Sequence, residues 1–354
     1  MGSLSSLLLA ALFAGSAGVI WVAGIKLSGT TDVLAERLHL GSALGGLLML
    51  AVATNLPEIA ITASAAMAGQ LDVAVGTILG GIAIQTVVLV ALDAAGVRPR
   101  APLTRLAASL VLVLEGALVV VILAVVIMGT QLPPLLAFGW LAPVPLVIAA
   151  VWIVGLLLLN RAGKGLPWHE AGNAPEAQPE PRGHSRGKKE KAATNKGVGT
   201  GRAVLVFAVA AVATLVAGVV IERSGEELFG RIGLSGVLFG ATVLAAATSL
   251  PELSTGLTST RLGDYQLAIS DIFGGNAFLP VLFLLASLLS GTAVLPDAHH
   301  SDIYLTALGV VLTIVYVSGL VFRPRRQFLR MGIDSIAVLL IYLAGIAGLA
   351  TIST

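Results

Sequence analysis

The sequence predicts an all-α polytopic membrane protein whose ten transmembrane helices form two inverted five-helix repeats. Three observations predict it. Of the 354 residues 56% are hydrophobic and only 11% charged. Apolar runs of about 20 residues, the length that spans a bilayer, recur along the chain. And the sequence matches itself without gaps when Thr54 is laid on Thr248, a fixed offset of 194 residues.

A soluble domain carries about 25% charged residues, so a water-soluble enzyme or nucleic-acid binder is excluded on composition. The formal net charge of +2 is too small to imply a polyanionic partner. The chain has no cysteine, which excludes disulfides, thiolate metal sites and cysteine nucleophiles. No Ser/His/Asp arrangement, phosphate-binding loop or metalloprotease helix is found either, so the protein is not read as an enzyme.

The first span is expected at 4–26; no Lys or Arg precedes it, so it reads as a retained helix and not as a cleaved signal peptide. Spans at 40–67, 72–95, 103–128 and 135–159 complete a first repeat over 1–159. Residues 160–201 follow, rich in Pro, Gly and alternating charge, and too hydrophilic to bury a core; they are expected to be a disordered linker. The second repeat, 202–354, is expected to span at 203–221, 233–260, 265–290, 302–322 and 332–352. With these ten spans, 19 Lys and Arg fall on the linker's side and only Arg223 and Arg231 on the other. The positive-inside bias then puts the linker in the cytoplasm and both termini outside, in what is expected to be a prokaryotic plasma membrane.

The self-match is densest where polar residues interrupt the helices. "TNLPEIAITA" (54–63) overlays "TSLPELSTGL" (248–257), and "GTILGGIA" (76–83) overlays "SDIFGGNA" (270–277). Five spans per half is an odd number, so the halves enter the membrane in opposite senses, an arrangement found in secondary transporters with a midplane site. Pro57 and Pro251 each remove an amide donor and free the carbonyl four residues earlier, those of Ala53 and Ala247. Glu58 and Glu252 follow at mid-span, where a carboxylate costs on the order of 3 kcal/mol to insert. Together with Thr54, Asn55, Thr248 and Ser249 they form an all-oxygen cluster suited to a hard cation such as Ca²⁺ or Na⁺.

Other polar residues carry weaker signals. Asp271, one turn before Gly275, is a candidate third carboxylate, although its repeat mate is the neutral Thr77. Glu115, in the middle of the fourth span, must face protein or water. Gly80, Gly81, Gly274 and Gly275 admit two readings, close helix contact or carbonyls opened toward an ion. Asp93 and Asp334, at helix ends, are expected to snorkel to the interface, and "DAHHSD" (297–302) and "WHE" (168–170) to be ordinary loops.

The paired T-[NS]-L-P-E motifs, each followed by a "GG" stretch, in two halves of five spans around a linker, resemble the sodium/calcium exchanger branch of the cation/Ca²⁺ antiporters. The resemblance implies that Thr54, Asn55, Glu58, Thr248, Ser249 and Glu252, with residues on the following helices, ligate the transported ions. The chain departs from the family pattern with Ala53 and Ala247 in place of Gly, Asn55 in place of Ser, Gly81 and Gly275 in place of Ser, and Gln85 and Leu279 in place of Asn or Asp. The expected function is a secondary antiporter exchanging Ca²⁺ for Na⁺ or H⁺ by alternating access around Glu58 and Glu252. Proton-coupled or monovalent-cation exchange, and a non-transporting regulatory protein of the same fold, are the alternatives. No cofactor is expected; the partners are inorganic cations and the lipid bilayer, without nucleic acid.

Overall fold

The computed structural model describes residues 4–37, 50–97, 101–107, 109–132, 143–167, 199–295 and 299–352. The elements are α1 (Ser6–Arg37), α2 (Leu56–Met67), α3 (Leu71–Ala91), α4 (Leu110–Thr130), α5 (Pro143–Gly163), α6 (Thr200–Gly230), α7 (Gly236–Thr248), α8 (Leu250–Arg261), α9 (Tyr265–Phe278), α10 (Leu282–Ser290), α11 (His300–Phe322) and α12 (Ile333–Ile352). A two-residue hairpin, β1 (Gln327–Phe328) against β2 (Met331–Gly332), precedes α12. Among the described residues eight helices are long and apolar enough to cross a membrane, and the bent pair α7–α8 makes nine. The remaining expected span, 40–67, is described from residue 50 onward. Most of the linker, 168–198 with its "WHE", lies outside the described residues.

The two halves repeat each other in backbone detail. Asn55 (φ −86°, ψ 13°) and its mate Ser249 (φ −78°, ψ 7°) break their helices just before the prolines. Each proline then falls in the first turn of a new helix, where its missing N–H is no loss. The second break bends α7 from α8 by 42°. Gly69 (φ 74°) and Gly263 (φ 80°) make the turns into α3 and α9, a left-handed conformation that explains why glycine recurs there. The crossing contacts repeat too. A Cβ on Gly24 of α1 would stand 2.7 Å from Pro251 Cβ, and one on Gly218 of α6, its mate at the same offset, 3.2 Å from the Pro57 carbonyl oxygen. Each half therefore lays the glycine of its first helix over the proline of the other half.

α3 lies at the centre and is buried along nearly its whole length. It meets α7 backbone to backbone through two small-xxx-small pairs, Gly76/Gly80 and Gly236/Gly240. A Cβ on Gly80 would collide with Ala241 Cα and come within 2.8 Å of Ala241 Cβ and carbonyl oxygen, so Gly80 is a packing glycine. The other motif glycines differ: a Cβ on Gly275 would meet Asn55 Nδ2 and Gln85 Oε1, each at 3.0 Å, and one on Gly81 would meet Leu279 Cδ1 at 3.1 Å.

Several boundaries move. α1 continues to Arg37 instead of ending near 26, and α6 runs from Thr200 to Gly230 instead of 203–221. Glu222, beyond the sixth span in the sequence reading, therefore sits inside α6, fully buried, with one carboxylate oxygen accepting a hydrogen bond from Ser64 at 3.2 Å. A hydropathy window stops at the first charge, but a helix continues while its backbone is paired and packed. Asp93 and Asp334 also depart from expectation: at 1% and 7% exposure they are folded into the protein and do not snorkel.

Candidate functional site

Thr54, Asn55, Glu58, Thr248 and Glu252 are wholly inaccessible to solvent, and Ser249 and Asp271 nearly so at 2% and 4%. The helix breaks at Asn55 and Ser249 bring them together, because each glutamate falls in the first turn of the half-helix that restarts after its break. The partial positive charge of a helix N-terminus partly offsets the cost of holding a carboxylate there. Glu58 faces Thr248 and Glu252 faces Thr54, so each glutamate looks across to the threonine of the other repeat. The two carboxylates also feel each other's charge, and Glu252 feels that of Asp271.

The hydrogen bonds around them determine what the cluster can bind. Thr54 Oγ1 donates to the Leu50 and Ala51 carbonyls at 3.1 and 3.3 Å, Thr248 Oγ1 to Ala245 at 3.2 Å, and Ser249 Oγ to Ala245 at 2.8 Å. Asn55 Nδ2 likewise donates back to Ala51 O at 2.7 Å. Every one of these donors is turned onto its own helix, which leaves oxygen lone pairs for the interior. All four carboxylate oxygens of Glu58 and Glu252 are without a hydrogen-bond partner. A buried cluster rich in acceptors has the chemistry to take up a cation or a proton.

The carbonyls that lose an amide partner to the prolines are those of Ala53, buried at 2% exposure, and Ala247, partly buried. Asp271, on α9, accepts a hydrogen bond from Thr255 Oγ1 at 2.8 Å; Thr255 lies one turn after Glu252, and this bond fixes the third acid beside the second. Glu115 is buried at 7% exposure and accepts from Ser270 Oγ at 2.9 Å. It borders a mostly apolar cavity with Trp152, Phe273 and Gly274. At the other end of the molecule, His299 and Asp302 of the "DAHHSD" loop form a capping box on α11, with the His299 amide 2.8 Å from Asp302 Oδ2. No group of three or more His, Asp or Glu able to hold a metal occurs among the described residues.

Residue-by-residue reading of the sequence missed the pairing of the departures. Gln85 Nε2 donates to Asn55 Oδ1 at 3.2 Å, and Asn276 Nδ2 donates to Thr86 Oγ1 at 3.2 Å, joining α3 to the second helix and to α9. Asn55 and Gln85 together fill the space that a side chain at Gly275 would occupy, while Leu279 fills the equivalent space at Gly81. One half of the site is thus amide-lined and the other apolar. Two amides within apolar helices were the available signal, but only the fold says that they meet.

A pair of helical repeats, each broken beside a buried glutamate within an apolar helix bundle, is the architecture of a membrane transporter of cations. The sodium/calcium exchanger protein family matches residues 8–159 and 202–348, and the chain belongs to that family. Its relatives include the inner membrane protein YrbG of Escherichia coli, 27% identical over 73% of this chain and 72% of that one. The putative antiporter CaxA of Alkalimonas amylolytica is 28% identical over 78% of each chain. In three dimensions the chain is similar to the sodium-calcium exchanger NCX_Mj, with a TM-score of 0.59 at 15% identity over 97% of this chain and 99% of that one. The H⁺/Ca²⁺ exchanger CAX has the same TM-score at 12% identity, over 97% of this chain and 88% of that one. The protein is an integral membrane protein of the cation/Ca²⁺ exchanger family, not an enzyme.

Proposed function

We propose that the protein is an antiporter that exchanges Ca²⁺ for Na⁺ or H⁺ at a site formed by Glu58 and Glu252, with Thr54, Asn55, Thr248, Ser249, Asp271 and the carbonyls of Ala53 and Ala247 as further ligands. The observation that carries this reading is a pair of fully buried glutamates, one from each repeat, whose four carboxylate oxygens lack a close donor and face only the Thr248 and Thr54 hydroxyls, which also bond their own helices. An ordinary structural carboxylate would be met by donors; these await a cation. A family member that had stopped transporting would have no reason to keep two such glutamates buried. The test is ⁴⁵Ca²⁺ uptake into proteoliposomes under an imposed Na⁺ gradient and, separately, a pH gradient. Uptake driven by neither gradient would overturn the reading.

Stoichiometry follows from charge. Glu58 and Glu252 neutralise one divalent or two monovalent ions, and further buried positive charge without a partner is costly. The apolar Leu279, packed toward Gly81, supplies no additional ligand. We therefore predict electroneutral exchange, one Ca²⁺ against two Na⁺ or two H⁺, with Asp271 contributing to the site as a neutral ligand held by Thr255; an ionised Asp271 or Glu115 would make the exchange electrogenic. Clamping the membrane potential with K⁺ and valinomycin is expected to leave the rate unchanged. Stimulation by voltage would refute electroneutrality, and Asp271→Asn and Glu115→Gln would then identify the acid responsible.

The charge bias of the loops supports an orientation with the linker in the cytoplasm and both termini outside. A cysteine introduced as Ser185→Cys would be unique in the chain. It is expected to resist an impermeant thiol reagent in intact cells and to react after permeabilisation; reaction in intact cells would reverse the topology.

A further inference from the structure

Asp93 and Asp334 are two buried acids for which exchange at the central glutamates has no use. Asp93, in the turn that closes α3, is anchored by three donors, two on Oδ2 and only one on Oδ1. Its Oδ1 accepts the Leu103 amide at 2.8 Å, and its Oδ2 accepts the Gly332 amide and the Ser335 hydroxyl, both at 2.7 Å. One carboxylate thereby ties the end of α3 to the start of the next span and to the start of α12.

Asp334 is the opposite case. It is 7% exposed, yet neither carboxylate oxygen has a hydrogen-bond partner, and the hydroxyl of the wholly buried Tyr316 has none either. Asp93 and Asp334 both reach Gly332, and Asp334 also abuts Gly319, one turn from Tyr316 on α11. Gly332, whose amide holds Asp93 Oδ2, is also the residue whose added Cβ would collide with Asp334 Oδ1. A Cβ on Gly319, one turn after Tyr316 on α11, would collide with Asp334 Oδ2. The Tyr316 phenol lies within electrostatic range of both aspartates. Asp334 stands in the first turn of α12, whose N-terminus offsets only part of the cost of a buried carboxylate beside a second one, so a counter-charge would stabilise the pair.

We propose that Asp93, Asp334 and Tyr316 form a second cation site, separate from the central glutamates, that takes a divalent cation of the Ca²⁺ class. The chemistry is that of a hard ion: the ligands are carboxylate and phenol oxygens, and two carboxylates balance one divalent charge. Because Asp93 already ties three spans together, an ion held there fastens α3, α11 and α12 to each other at the end of the bundle that the loop charges assign to the cytoplasm. The site acts as a divalent-sensitive clasp, and it does not depend on what Glu58 and Glu252 carry.

The test uses full-length protein with Glu58→Gln and Glu252→Gln, which silences the central cluster, purified in detergent. Equilibrium binding of ⁴⁵Ca²⁺ is expected to show one ion per chain, with a saturable rise in Tm. Adding Asp334→Asn is expected to remove both, and adding Tyr316→Phe to weaken binding about tenfold, as losing a supporting group at a metal does. Failure of the double-glutamine protein to bind Ca²⁺, or binding that survives Asp334→Asn, overturns the proposal. If Asp334→Asn does not fold, Tyr316→Phe decides, and an unchanged affinity there overturns it as well. A Tm rise with Na⁺ but not Ca²⁺ would refute the divalent assignment.

Discussion

Glu58→Gln and Glu252→Gln are each expected to abolish cation exchange while leaving the protein folded. Glutamine keeps the volume of the side chain and one carbonyl oxygen but removes the charge, and its amide places a donor among acceptors. Removing one partner of a buried charge pair costs about 3–5 kcal/mol. At about 1.4 kcal/mol per factor of ten this weakens ion binding by about two to three and a half orders of magnitude. The fold is expected to survive because glutamine keeps a carbonyl oxygen that can still accept from the facing threonine, Thr248 for Glu58 and Thr54 for Glu252. ⁴⁵Ca²⁺ flux in proteoliposomes is the measurement, with Tm in detergent as the control. If either variant exchanges at near the wild-type rate, that glutamate is structural and the site lies elsewhere.

The second large effect is expected from Gly80→Ala, set against Gly274→Ala. These glycines are repeat mates in the same "GG" motif. A methyl on Gly80 runs into the backbone of α7, with the Ala241 Cβ and carbonyl oxygen both at 2.8 Å. Backbone cannot rotate aside as a side chain does, so α3 and α7 must separate. Overpacking of this kind costs about 1–3 kcal/mol, and a direct backbone clash belongs at the upper end. A methyl on Gly274 meets nothing nearer than Ala51 Cβ at 3.8 Å, an ordinary contact. There the gain in helix propensity, about 1 kcal/mol for Gly to Ala, makes the substitution neutral or stabilising. Thermal unfolding in detergent is expected to show a clear loss of Tm for Gly80→Ala and none for Gly274→Ala. Equal responses would mean that α3 and α7 do not pack through Gly80.

The contrast shows how far the internal repeat can be read. It correctly indicated that Pro57 and Pro251 break matching helices, that Glu58 and Glu252 are buried beside the breaks, and that the halves are inverted copies. Those features follow from local chemistry: a proline interrupts the hydrogen-bond ladder wherever it falls, and Gly69 and Gly263 turn the chain because only glycine adopts their φ at no cost. The repeat could not indicate that Gly80 packs against backbone while Gly274 has room for a methyl beside Ala51. That difference depends on which helix lies opposite.

The sequence by itself determined the class of protein: a membrane bundle, duplicated and inverted, with an all-oxygen cluster at two proline breaks. Tertiary structure decided the partners. It placed Gln85 on Asn55 and Asn276 on Thr86, clasped Asp271 with Thr255, carried Glu222 into the interior, and brought Asp93 and Asp334 to either side of Gly332. The physical reason is the solvent. In a water-soluble helix the apolar stripe says which face turns inward, but helices that are apolar on every side, as a bilayer permits, carry no such stripe. Their rotation and depth, and hence the meeting of every polar pair, are set by close packing at glycines such as Gly24, Gly80 and Gly218, whose opposing surfaces only the folded chain supplies.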